Sequence, residues 1–428
     1  MSFLIGPMQK HLNGHKELTA HNEILHVAPQ AKVYIPLAMG NAKIDVLVKE
    51  GDLVKVGTQV AARNDHFYVP IFASVSGKVL GIEKRMGQNL RPTDHLVIES
   101  DGNMEKAEGL STLSNDADSE AIIAFMKEKG LVGCGGAGFP TYVKYQTDKC
   151  ETLIINAVEC EPYITADAQT IERHKDDLRR GVLAMFKASK AKKCLIGIKE
   201  TKKELIPQLV ELFKDQSDVT VTPVKDVYPM GWERTLLYTL VHKRYDKLPI
   251  EVGCIVSNAT TAVMLGIAME TGMPIVEKVV TVSGDAVKDP HNVICPVGTP
   301  FSELVKTCGG YTTEVVDLIA GGPMMGSAVT KDEVCVGLAS NAVTVLEHHD
   351  VKEIACLRCG KCIDHCPSGL EPVNINNAFK ANDIDRLEKL RPMDCIECGM
   401  CSYICPSKIA VTEGIRRAKR AMALRVKR

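Results

Sequence analysis

The chain has 428 residues, is 45% hydrophobic and 25% charged, and carries a formal net charge of −1. That length holds roughly two to four domains, each able to bury its own core, and the near-neutral balance gives no reason to expect nucleic acid as the main partner. No uninterrupted apolar run approaches the ~18 residues of a spanning helix, and the start "MSFLIGPMQK" lacks the long apolar stretch of a secretory signal, so the expected location is the cytoplasm, free or peripheral on the cytoplasmic face of a membrane.

Residues 1–24 read as a polar leader, with His11, His15 and His21 (and His26 just beyond) forming no ligand-like pair on a defined element. Residues 25–105 alternate short strands with glycine turns. The pieces "VKEGDLVKVGTQVA" and "VPIFASVSGKV" resemble the two halves of a barrel-sandwich hybrid, the fold of lipoyl and biotinyl carriers. Carriers hold a modified lysine on the hairpin between the halves; here that hairpin, "ARNDHF", has none, which favours a structural module.

A polar linker follows, and residues 116–275 then read as an α/β domain. The 116–129 stretch has helical periodicity, with Ile122, Ile123 and Met126 on one side. Three β-rich segments, "TLIINAV", "KCLIGIK" and "VTVTPVK", alternate with helix patterns, which predicts a parallel sheet. Before the first strand lies "GLVGCGGAGFPTYVK", in which Gly133, Gly135 and Gly138 fit G-x-G-x-x-G. A Rossmann fingerprint must follow a strand and open a helix. Here a helix precedes the glycines and the strand comes afterwards, so the context fails. What remains is a glycine-rich loop whose exposed amides suit a phosphate and whose bareness admits a flat ring. Residues 278–326 show a strand–turn–strand–helix order that suits a small β-grasp unit.

Residues 345–428 form a cysteine-rich C-terminal domain. Of the sixteen cysteines, eight fall in two runs with one spacing: Cys356, Cys359, Cys362, Cys366-Pro367 and Cys395, Cys398, Cys401, Cys405-Pro406. Zinc knuckles close with four ligands in two pairs and need no third C-x-x-C step. The spacing is that of bacterial ferredoxins, in which the fourth cysteine of each run ligates the other cluster. One [4Fe–4S] cluster is then expected on Cys356, Cys359, Cys362 and Cys405, and a second on Cys395, Cys398, Cys401 and Cys366. The tail "GIRRAKRAMALRVKR" reads as a basic amphipathic helix, either packing Ile415, Ala418 and Met422 on this domain or docking on an acidic partner or anionic lipid.

The loop "GCGGAGFPTYVK" resembles that of the flavin subunit of respiratory complex I and of its relative RnfC. "INAVECEPYITAD", "YPMGWERTLLYTL", "VSNATTA" and "GGPMMG" resemble further family segments in the same order. The resemblance covers most of the chain and implies an N-terminal barrel-sandwich module, a complex I flavin-subunit-like α/β domain, an SLBB-type β-grasp unit and a ferredoxin-like domain with two clusters. It implies FMN and NAD(H) as cofactors besides the clusters. Gly133, Gly135, Gly136 and Gly138 would line FMN, with Phe139 near the dinucleotide and Lys144 on phosphate or flavin. Asn156, Glu159 and Asn258 would bond the flavin, and Glu233 would face the nicotinamide. Two departures stand out. Cys134 occupies a usually apolar position and reads either as a redox thiol beside the flavin or as a space-filler. Trp232, the only tryptophan, replaces a small residue where the dinucleotide would enter. The implied function is NADH oxidation through FMN, with single electrons passed through the clusters to a partner: the membrane subunits of an Rnf complex, or a soluble reductase such as proline reductase, served by the PrdC branch. The alternatives are the same chemistry reversed, and an iron–sulfur adaptor without NADH activity. Oligomeric state stays open.

Overall fold

A computed structural model describes residues 9–426 except Asn41 and Ala137. The first eight residues of the expected leader, the last two of the basic tail and one residue of the glycine loop therefore lie outside the described residues.

The N-terminal module packs two sheets face to face. One has strands in the order Lys32–Pro36, Pro92–Ser100, Gly77–Met86 and Leu53–Val54; the other is Ile44–Val46, Gln59–Asn64 and Tyr68–Phe72. Alternation along the strands sends Val33, Ile35, Val60, Ile71, Leu96 and Ile98 inward to one core. The hairpin that carriers use for their lysine turns at Asp65, which the Arg63 guanidinium grips through two bonds of 2.7 and 3.0 Å. Its next residues are spent on a contact: Phe67 meets the glycine loop, and the Tyr68 amide donates to the Tyr142 hydroxyl at 3.2 Å.

The α/β domain is built on a four-stranded parallel sheet in the order Val219–Val224, Lys193–Lys199, Thr152–Ala157, Cys254–Asn258. The chain thus moves outward from Thr152–Ala157 on one side and returns to its other side with the last strand. The apolar runs "TLIIN" and "CLIGI" fit strands covered on both faces. Helices Lys175–Ser189 and Ala259–Thr271 cover one face and cross so tightly that a Cβ at Gly266 would lie 1.9 Å from the Asp177 carbonyl oxygen.

Beyond it a six-stranded sheet runs Leu25–His26, His291–Pro296, Glu277–Ser283, Ala342–Glu347, Val316–Ala320, Ser327–Val329. The sheet that holds the β-grasp unit expected at 278–326 also takes in Ala342–Glu347, the strand in which the cysteine-rich domain is expected to start. Ala342–Glu347 lies between Glu277–Ser283 and Val316–Ala320, so this sheet has its central strand outside the expected unit. The remaining chain forms five α-helices and one short 3-10 turn among the described residues, ending in Val411–Val426, around Leu370, Ile375, Leu387, Val411 and Ile415. That last helix buries Ile415 and Ala418, while Arg416 and Lys419 both pair with Glu397. Part of the tail's basic charge is thus consumed internally.

Of the described residues of the expected leader, Leu12 and Thr19 are buried, while Gln9, His11, Asn13, Glu17, His21 and Glu23 stay exposed. Thr19, Thr165, Thr281 and Asn292 form a buried hydrogen-bonded cluster that ties this segment, a strap, to the α/β domain and the six-stranded sheet, with Thr19 Oγ1 to Thr165 Oγ1 at 2.7 Å and Asn292 Nδ2 to Thr165 Oγ1 at 2.8 Å.

Gly266→Val is expected to destabilise the α/β domain by about 3 kcal/mol, because neither helix backbone can yield to the new methyls. Far-UV thermal or urea unfolding against the parent measures it, and an unchanged midpoint would refute the close crossing.

Candidate functional site

The strand order steps away from Thr152–Ala157 on one side and resumes on the other with Cys254–Asn258, and ligand crevices in such sheets lie at the carboxyl ends of strands at that reversal. Asn156 and Asn258 are register partners at those two ends. Three separate stretches converge there. The glycine loop leaves helix Ser119–Glu128 and is closed by the Gly133 amide donating to the Phe139 carbonyl at 3.0 Å. The Cys134 amide then donates to Thr261 Oγ1 at 2.9 Å, pinning the loop to the first turn of helix Ala259–Thr271. A Cβ at Gly135 would lie 2.4 Å from Asn258 Nδ2, so only glycine fits there. From the third side, Asn156 Nδ2 donates to the Gly231 carbonyl at 2.8 Å, bringing in the turn that carries Trp232 and Glu233. The helix N-terminus beside the loop favours an anion. Bare backbone at Gly135 and Gly136, two strand-end asparagines and a helix N-terminus form a donor set that fits a flavin phosphate and ring.

Behind this crevice runs a chain of buried polar groups. Asn258 Nδ2 donates to Asp167 Oδ2 at 2.8 Å, and Thr260 Oγ1 donates to Asp167 Oδ1 at 2.7 Å. The Asp167 amide donates to Glu159 Oε1 at 2.7 Å, and Glu159 Oε2 lies 3.7 Å from Lys16 Nζ with no hydrogen bond of its own. Lys16 also donates to the carbonyls of Glu161 (3.0 Å) and Ile164. Burial pushes the Glu159 carboxyl above the usual range, with Lys16 opposing and Asp167 reinforcing the shift. Burial likewise pulls the Lys16 ammonium down, against the pull of Glu159. Neither Lys16 nor Asp167 was a candidate from the sequence. Asp167 closes the "INAVECEPYITAD" segment, but Lys16 is one lysine in a polar leader and gave no signal.

Other predicted residues hold these places. Lys144 Nζ donates to the Val256 carbonyl at 2.8 Å, and burial pulls its ammonium down against the opposing pull of Glu233; two of its three donors are left for a ligand. Glu233 accepts from the Tyr245 hydroxyl at 2.7 Å at the start of helix Glu233–Val241, with Trp232 half-buried at its N-cap. Phe139 is 40% exposed at the loop tip. Cys134 is 1% exposed, its thiol turned into the core and directed at the Val132 carbonyl (3.6 Å), which favours the space-filling reading. Cys160 lies under Gly231, and burial raises it to about 11, as suits an inert thiol.

The cysteine runs divide by exposure. Cys366, Cys395, Cys398 and Cys401 together line a small void closed by Leu370, Ile396 and Met400. Amides of Leu370 and Glu397 donate to Cys366 Sγ and Cys395 Sγ at 3.4 and 3.3 Å, as donors to cluster thiolates do. Four thiols around one apolar void fit a cubane. Among the described residues no three ligating side chains converge as closely as one ion needs, and a cubane holds its thiolates farther apart. This set abuts the flavin domain: the Tyr228 hydroxyl donates to the Cys398 carbonyl at 2.8 Å, and Leu12, Tyr228, Cys398 and Met400 pack as one cluster. Cys356 and Cys359 are exposed, with Leu357 and Ile354 also exposed beside them.

With this geometry in view, four family matches cover the chain in order: the RnfC barrel sandwich hybrid domain over residues 10–103, the Nuo51 FMN-binding domain over 126–266, the SLBB domain over 279–328 and a 4Fe-4S dicluster domain over 349–406. The C subunit of the proton-translocating ferredoxin:NAD(+) oxidoreductase complex of Clostridium ljungdahlii is 35% identical, covering 85% of this chain and 81% of its own. Its counterpart in the Na(+)-translocating complex of Acetobacterium woodii is 34% identical over 95% of this chain and 94% of its own. Among solved structures, an NAD+-reducing nickel–iron hydrogenase in the H2-reduced state shares the fold, with a TM-score of 0.51 at 19% identity over 72% of this chain and 61% of that one.

A carboxyl whose folded pKa lies above its unfolded value costs stability as pH rises from the ordinary carboxylate range through the folded value. Lys16→Met removes the cation that opposes this shift. The variant is expected to lose about 3 kcal/mol and to lose more melting temperature than the parent between about pH 5 and about pH 8, whereas Lys16→Arg tracks the parent. Parallel melting curves across that range would count against the charge network.

Proposed function

Since the chain belongs to the RnfC family, the C subunits of ferredoxin:NAD(+) oxidoreductase complexes, we propose that it is the component that exchanges hydride with NAD(H) at a flavin and electrons with the rest of such a complex. FMN and [4Fe–4S] clusters are its cofactors. Bound FMN supplies the conversion between a two-electron hydride and the one-electron steps that iron–sulfur clusters accept. The observation that carries the reading is the convergence of the glycine loop, Asn156 and Asn258 on the switch-point crevice.

Within that reading, Gly133, Gly135, Gly136 and Gly138 present backbone to the flavin. Asn156 and Asn258 orient it from the two strand ends, their free valences fixed by Gly231, Asp167 and Thr261. Glu159 keeps the turn before helix Ala166–Arg173 in place through the Asp167 amide. Cys366, Cys395, Cys398 and Cys401 hold the cluster nearer the flavin domain, and Cys356, Cys359, Cys362 and Cys405 hold the one nearer solvent, where a partner can approach. The soluble-reductase reading drew on both Cys134 and Trp232; with Cys134 in the core, the relay thiol loses its support, and the other members of such a complex are the partners we favour. No helix among the described residues is long and apolar enough to cross a membrane, consistent with a peripheral position. The relatives' names put ferredoxin on the donor side, and the same crevice serves either direction.

Anaerobic addition of stoichiometric NADH is expected to bleach the bound flavin's band near ~450 nm; an unchanged spectrum would favour the adaptor alternative. Cys395→Ala is expected to leave that bleaching intact while electron delivery to an external one-electron acceptor falls to background, and equal loss of both would sink the wire. Cys134→Ala is expected to bleach at a rate within about twofold of the parent, since a core thiol takes no part in hydride exchange.

A further inference from the structure

The turn "GGPMMG", Gly321–Gly326, joins strands Val316–Ala320 and Ser327–Val329 and is wedged between two other turns. On one side lies Glu161 of the flavin domain, whose Oε1 accepts from the Met324 and Met325 amides at 2.7 and 3.0 Å. A Cβ at Gly322 would lie 2.2 Å from Glu161 Cγ, so the approach needs glycine. On the other side lies the second cysteine run, where a Cβ at Gly399 would lie 2.5 Å from the Met324 carbonyl oxygen. Gly360 holds the same place in the first run with nearly the same conformation, φ 77° against 76°, yet its Cβ would meet nothing nearer than Asp364 Oδ2 at 3.9 Å. The two runs share a local turn, and only the second is backed. Tyr228, 3% exposed, adds another hold through its hydroxyl, which donates to the Cys398 carbonyl at 2.8 Å. We propose that the 321–326 turn, Glu161 and Tyr228 form a clamp that positions the second cysteine run against the flavin domain, and that electrons enter the clusters at Cys398. The proposal rests on the reading that flavin at the crevice exchanges electrons with the clusters.

Both holds fall on adjacent residues, Cys398 and Gly399, and both lead back to one strand end. Asn156 Nδ2 donates to the Gly231 carbonyl in the turn that carries Tyr228, and Glu161 lies in the turn that leaves the Asn156 strand. Leu12, Tyr228, Cys398 and Met400 close the seam as one cluster with Met324 packed against it. Crevice and cysteines are thus joined through bonded and close-packed atoms. Cluster potentials respond to hydrogen bonds around the ligating residues and to exposure. The Tyr228 hydroxyl presents the positive end of its dipole to the Cys398 carbonyl and there favours the more negative, reduced state. At each transfer one electron is given up and one accepted, and no bond in the clamp is made or broken. Tyr228 and Glu161 are therefore positioning residues.

The test uses the full-length, cofactor-loaded protein. A dithionite titration followed by electron paramagnetic resonance reads the midpoints of the two clusters without NADH. Tyr228→Phe keeps the ring and loses the hydroxyl, so one midpoint is expected to fall while the other stays. Two unchanged midpoints, or an equal shift of both, overturn the clamp. Turnover supplies the second readout. Glu161→Ala is expected to leave flavin bleaching by NADH unchanged and to slow electron delivery to an external one-electron acceptor about tenfold, as loss of a group that orients a metal ligand does. Glu161→Gln, whose side-chain oxygen can accept from the same two amides, is expected to track the parent. Full-rate delivery by Glu161→Ala, or equal slowing in both variants, also overturns it. If NADH leaves the parent's flavin oxidised, the hydride reading fails by itself, and the dithionite titration still decides the clamp. If Glu161→Ala fails to hold its iron, Tyr228→Phe decides alone.

Discussion

The arrangement of the crevice depends on one buried cation. Lys16 brings its ammonium to within 3.7 Å of Glu159 and onto two backbone carbonyls of the following turn. Glu159 and Tyr163 in that turn both hold positive φ, 41° and 66°, a conformation that a side-chain-bearing residue keeps only where its surroundings fix it. Asp167 adds to the burial that opposes charge on Glu159, and a buried carboxylate needs a counter-ion. Lys16 supplies it, and through Asp167 and Asn258 the effect reaches the glycine loop. The flavin domain is thus completed by a residue that lies outside it in the sequence.

The second constraint is the seam between the flavin domain and the inner cysteines. Tyr228 shares a turn with Trp232 and Glu233, and its hydroxyl bonds the backbone of Cys398. Glu161, two residues from Glu159, accepts from the amides of Met324 and Met325 at 2.7 and 3.0 Å on the same seam. The segments that shape the crevice therefore also seat the inner cysteine set. Cys356 and Cys359, by contrast, are exposed.

Much of this was legible in the chain because the signals were periodic or strictly spaced. Two C-x-x-C-x-x-C-x-x-x-C-P runs admit few chemistries, and strand–helix alternation with apolar runs admits few sheets. The glycine loop was legible through its failed context, since a helix in front of G-x-G-x-x-G excludes the Rossmann turn. What escaped was whatever depended on distant partners. "AVTVLE" at Ala342–Glu347 is a short alternating run like many others, and only its neighbours make it central to a sheet. The bond from Lys144 to the strand carbonyl of Val256, 112 residues on, had no local sign. Lys16 and the strap carry no local pattern, because their order comes from oxygens contributed by other domains.

The strap has a further consequence, for the order of assembly during synthesis. It is the first described segment to leave the ribosome, yet its partners come much later: Lys16 waits for Glu161, 145 residues on, His11 for Asp226, 215 on, and Thr19 for Asn292, 273 on. Contacts of such separation close late, because the loop between them must be made and folded first. Until residue 292 has emerged, the strap cannot complete its seat behind the crevice, and the flavin site has a sheet and a loop but not yet its fastened back wall. The strap is therefore a closing latch, whose contacts to Glu161, Asp226 and Asn292 form only once those residues have been made.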